Sequence, residues 1–206
     1  MAVSLSKGGK ISLAKAAADA GVQGGLTNIM VGLGWDVQKY DGGNEFDLDA
    51  SVFLCGADGK VHKDSDFVFY GSAHKTADGK PSNDNNSVIH TGDNRTGAGD
   101  GDDESIMVNV PNLPADIEKI GIAVTIYDAD KRNQTFGQVE NAYIRVVDAA
   151  SNTELIRYDL SEDYSSETAI VVAELYKHGG EWKFNAIGSG FNEGLLGLCR
   201  NYGVNV

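Results

Sequence analysis

Cysteine, proline, basic residues and long apolar runs are all scarce in this chain, and each scarcity narrows what it can do. Only Cys55 and Cys199 occur, each inside an apolar stretch. That fits small buried hydrophobes better than a disulfide framework or a metal pair, and no zinc spacing is present. Three prolines in 206 residues, with 41% hydrophobic residues, argue against disorder and for one globular domain over 1–206 with a real core. No stretch approaches the roughly 20 apolar residues that span a bilayer, and Met1 to Lys10 lacks the apolar core of a secretory signal. The expectation is a cytoplasmic protein without membrane insertion. Seventeen Lys and Arg face thirty Asp and Glu, for a net charge of −13. Nucleic acid and anionic membranes are polyanions and therefore poor partners, which leaves cations and basic surfaces.

What is present is a series of short β-type runs separated by turn residues. Strands are predicted over Ile29 to Trp35, Ala50 to Leu54, Phe67 to Tyr70, Ile106 to Val110 and Ile120 to Tyr127. Further runs cover Ala142 to Val147, Thr153 to Leu160, Ala169 to Tyr176 and Glu181 to Ile187. Many strands with Gly, Asn and Asp turns predict an all-β-dominated fold, an antiparallel β-sandwich or barrel. Helix signals are weak until Phe191 to Cys199, where apolar residues fall at helical spacing and a short C-terminal helix is expected. Pro114 to Lys119 has proline in a helix-first position and fits one or two helical turns. Asp78 to Asn86 is the best loop candidate.

The acids cluster in two places. Gly92 to Glu104 carries Asp93, Asn94, Asp100, Asp102, Asp103 and Glu104 among glycines, and Asp36 to Asp49 carries Asp36, Asp47 and Asp49. Unpaired carboxylates about 5 Å apart repel by about 3 kcal/mol at an effective dielectric of about 20. A bound cation removes that cost, and glycine-rich backbone lets several oxygens converge on it. In Asp47-Leu48-Asp49 the two acids share one side of an extended chain while Phe46, Leu48 and Ala50 take the other. Two acidic strand-entry loops meeting at one end of a sandwich would form an oxygen-only site suited to calcium. Against this stands the ordinary solvated acidic loop.

Familiar templates fail. Counting from Asp100, an EF-hand needs glycine at Ser105 and glutamate at Pro111. Gly79-Lys80 lacks the rest of a phosphate-binding loop, and Gly188-Ser189-Gly190 is not a nucleophile elbow. His62, His74, His90 and His178 are scattered, as expected of surface or strand-end residues rather than catalytic bases. Asp128-Ala129-Asp130 reads as helix or turn capping slightly ahead of a ligand role. Trp35 and Trp182 read as core or rim aromatics.

Taken together, Val31 to Asp36, Phe46 to Val52, Gly92 to Gly97, Gly99 to Glu104, Ala123 to Asp128 and Asp159 to Asp163 resemble the TerD family. Val3 to Gly9 and Gly203 to Val206 resemble it as well, so the likeness covers nearly the whole chain. It departs in a longer stretch over Lys15 to Thr27 and in the polar loop over Asp78 to Asn86. The resemblance implies a β-sandwich of bacterial tellurite resistance and stress response with no established enzymatic activity. It implies calcium bound through acidic loops, with two ions expected. The ligands would fall among Asp47, Asp49, Asp93, Asn94, Asp100, Asp102, Asp103 and Glu104, with Asp36 as an addition. Calcium and other proteins of the same resistance system are the expected partners. Two alternatives stand beside it: a magnesium- or manganese-dependent phosphoryl- or glycosyl-transfer enzyme using the Asp-x-Asp pairs, and a structural self-associating sandwich.

Overall fold

The computed structural model describes residues 2–23, 26–36, 46–92, 101–160 and 164–205. Each predicted β-type run contains a strand, and three strands too short to show a pattern join them. The first half holds β1 (Val3–Ser4), β2 (Lys10–Ser12), β3 (Asn28–Gly34), β4 (Leu48–Cys55), β5 (Phe67–Val68) and β6 (Val88–His90). The second half holds β7 (Glu104–Asn109), β8 (Lys119–Ile126), β9 (Tyr143–Asp148), β10 (Thr153–Asp159), β11 (Ala169–His178) and β12 (Glu181–Phe191).

Among the described residues these strands form two six-stranded sheets, ordered β1-β10-β9-β3-β7-β6 and β2-β12-β11-β8-β4-β5. Pairing is antiparallel except for β1 against β10. The core lies between the sheets because alternate residues face inward. Ile29, Val31 and Leu33 of β3 meet Leu48, Ala50, Val52 and Leu54 of β4 in one buried cluster.

Three short helices complete the described chain: α1 (Leu13–Asp19), α2 (Ala129–Arg132) and α3 (Gly194–Tyr202). α3 is the expected C-terminal helix, and it stops at Gly203, whose φ of 77° is left-handed. It covers the outer face of the second sheet, where Leu198, Cys199 and Tyr202 pack on Phe53, Cys55 and Phe67 in a second apolar cluster. Both cysteines are free and buried there, as expected.

Two expectations need correction. Pro114 to Lys119 forms a turn, not helix: the Ile117 N–H donates to the Pro114 carbonyl at 3.1 Å, and β8 begins at Lys119. Ile117 must enter the core at 2% exposure, and that inward step leaves no room for a helical turn. Asp128 does not cap α2 with its side chain. Its backbone is left-handed (φ 50°), and its carboxylate pairs with Lys131 Nζ at 2.9 Å.

Candidate functional site

The acids gather at one end of the sandwich because five strand ends arrive there. Register places Leu33 beside Glu104, Gly34 beside Tyr143 and Leu48 beside Ile126, so the exits of β3 and β8 and the entries of β4, β7 and β9 share that end. Cross-connections hold it. The Trp35 backbone N–H donates to Asp103 Oδ2 at 3.0 Å, and its indole N–H donates to the Phe46 carbonyl at 3.2 Å. The Ala50 N–H donates to Glu104 Oε2 at 2.6 Å, tying β4 of one sheet to β7 of the other.

From that common end the carboxylates point in different directions. Asp47 and Asp49 leave the outer face of the second sheet while Leu48 and Ala50 enter the core, as the alternation predicts. Asp47 Oδ2 lies 3.7 Å from Arg132. Asp49 lines a cavity of about 320 Å³ together with Thr125, Tyr127, Asp128 and Asp130. Glu104 turns inward, with its Oε2 3.5 Å from His90 Nε2, and both side chains are fully buried. His90 is thus at a strand end, as expected, but faces the interior.

Asp102 folds across the outer face of the first sheet. Its Oδ1 accepts from Arg145 Nε at 2.7 Å and from the Tyr143 hydroxyl at 3.2 Å, and Arg145 also reaches Glu154 at 3.1 Å. Gly32 makes this possible, since a Cβ there would occupy the Asp102 carboxylate. Asp36 Oδ2 accepts from Asn141 Nδ2 at 2.6 Å. Burial pushes the Asp103 carboxyl up; the Trp35 N–H pulls it down, while Asp102 and Asp36 push it up again. Asp103 therefore feels the charge of both Asp102 and Asp36. Asp93, Asn94 and Asp100 lie outside the described residues.

Every described donor of the predicted set is a carboxylate oxygen, the chemistry of a hard divalent cation. Asp102 Oδ2 is buried without a hydrogen-bond partner among the described residues, an atom that a cation would satisfy. Yet among those residues no three His, Cys, Asp or Glu side chains are close enough to hold one ion. The described acids stand as flanks of the segments 37–45 and 93–100. The reading from sequence passed over Arg145, Tyr143 and Arg132, which hold these flanks. The outward alternation of Tyr143 and Arg145 on β9, opposite glycines on β3, was the available signal for two of them.

The sequence profile of the TerD domain matches residues 1–202. General stress protein 16U of Bacillus subtilis (strain 168) is 52% identical over 206 residues, covering 100% of both chains. Tellurium resistance protein TerD of Serratia marcescens is 52% identical over 205 residues, covering 100% of this chain and 99% of that one. Among solved structures, a homologue of telluride resistance protein (TerD) from Streptomyces coelicolor A3(2) superposes with a TM-score of 0.62. That match has 24% identity and covers 84% of this chain and 94% of the other, which carries the fold.

Proposed function

The chain belongs to the TerD family of tellurium resistance and stress proteins, and from that premise we propose that it is a cytoplasmic calcium-binding module whose acidic end is ordered by metal and presented to partner proteins. The supporting observation is the convergence of Asp36, Asp47, Asp49, Asp102, Asp103 and Glu104 at one end of the sandwich, with a buried Asp102 Oδ2 that has no hydrogen-bond partner among the described residues. The segments 36–49 and 93–104 carry ten carboxylates, five each, against Lys39 and Arg95. Such a surplus on short stretches of sequence is self-repelling, and a divalent cation offsets it. Asp93, Asn94 and Asp100 complete the proposed ligand set for two ions. Arg145 and Arg132 hold Asp102 and Asp47 in place, so this chain's own residues orient the flanks.

A binding role fits the architecture better than phosphoryl transfer. The sole parallel strand pair among the described residues is β1 with β10, and neither forms part of a nucleotide-binding βαβ unit.

Calorimetric titration of the metal-stripped protein with calcium and with magnesium tests this reading, paired with melting with and without chelator. Calcium is expected to bind below millimolar and to stabilise by about 2.7 kcal/mol at a hundredfold excess over its Kd. Asp47→Asn/Asp49→Asn is expected to reduce the calcium-dependent Tm gain by more than it lowers the metal-free Tm, the latter through the lost Asp47–Arg132 pair. No heat below millimolar together with an unchanged Tm would sink the proposal.

A further inference from the structure

On the outer face of the second sheet, Tyr202, Phe53, Phe67 and Phe69 form a continuous ladder of stacked rings. Successive centroids are 4.3, 4.6 and 4.5 Å apart, with interplanar angles of 16°, 13° and 11°. The last ring, half-buried Phe69, meets Tyr70 at 5.2 Å with an interplanar angle of 73°, and Phe67, Phe69 and Val204 wall a cavity of about 440 Å³. That volume lies within the range of about 300–1,000 Å³ typical of small-molecule sites.

Two acids supply the formal charge of the lining, which is therefore negative. Asp64 and Asp84 are exposed carboxylates, and His74, whose Nδ1 lies 3.0 Å from Ser82 Oγ, is half-buried. Among the described residues no lysine or arginine lines the cavity. None of the lining residues belongs to the proposed calcium site, so the two can be tested separately.

We propose that this cavity binds a small, flat aromatic cation, with its ring against Phe67 and Phe69 and its ammonium group beside Asp64 and Asp84. Phe67 has Phe53 on one face and Phe69 on the other, so an added planar ring meets its edge, an arrangement that aromatic rings favour, while the carboxylates attract a positive charge. Anionic aromatics are rejected by the two carboxylates and by a protein of net charge −13. Aliphatic polyamines satisfy the carboxylates but leave the rings uncovered.

The test is a titration of the isotope-labelled protein with tryptamine, followed through backbone amide resonances, with indole-3-acetate and spermidine as comparisons. Tryptamine is expected to give saturable shifts centred on residues 64–74, 82–84 and 204–205. Indole-3-acetate should bind at least about tenfold more weakly, a difference of about 1.4 kcal/mol. Spermidine should give no saturating shift at those amides. Asp64→Asn/Asp84→Asn alters two exposed side chains, so the fold is retained, and the tryptamine Kd is expected to rise about tenfold. The proposal is overturned if tryptamine shifts fail to saturate there, if indole-3-acetate binds equally well, or if the double variant keeps its affinity.

Discussion

Cys55 shows how burial decides what a side chain can do. Its thiol is pushed up to about 12, first by burial and then by the charges of Glu174 and Asp58, with Lys119 and Lys60 acting the other way. Burial also raises Cys199. The thiolate is the reactive form, and a raised pKa removes it at neutral and mildly alkaline pH. In the native protein at pH 8, both cysteines should therefore resist iodoacetamide for hours and react within minutes once the chain is unfolded in denaturant. Mass spectrometry of the alkylated protein reads this directly, and rapid native labelling of Cys55 would contradict the environment described. A role in tellurium resistance that ran through a free thiolate would meet the same barrier.

At the scale of the element, legibility followed pattern length. The alternation in β4 was readable because Asp47 and Asp49 oppose Phe46, Leu48 and Ala50, and the structure keeps that division. The convergence of acids at one end followed from strand boundaries. Their divergence at that end did not, because it depends on Arg145 and Gly32 meeting Asp102 across strands. β1, β2 and β6 are two or three residues long, too short for any period, and exist through tertiary pairing. α1 was readable in principle: Ser12 Oγ accepts from the Lys15 N–H, and Leu13, Ala16 and Ala17 fall on one buried face. α3 was legible despite its two glycines, and its docking shows in Leu198, fully buried, while Leu196 is 44% exposed. Leu198→Ala should accordingly cost about 2–4 kcal/mol in urea unfolding, and Leu196→Ala less than about 0.5 kcal/mol. Equal costs would mean that α3 does not dock as described.

For the molecule as a whole, the residues that close both sheets come from one short stretch. β1 lies beside β10 with Val3 opposite Ile156, and β2 lies beside β12 with Ile11 opposite Phe184. Deleting residues 2–12 would strip both sheets of an edge strand and expose rows of unpaired backbone groups on β10 and β12. The truncated protein is expected to elute from size-exclusion chromatography as dimers and larger species and to bind a hydrophobic dye strongly; a monodisperse, dye-silent monomer would contradict this. The same arrangement orders events during synthesis. Residues 3–12 leave the ribosome well before β12, so Ile11 has no Phe184 to pair with until the intervening chain has followed, and translation at about 5–20 residues per second sets that interval. This segment, made long before its β12 partner, is thus a late-closing clasp, and a nascent chain stalled before β12 would carry it unlatched, as a natural target for chaperones.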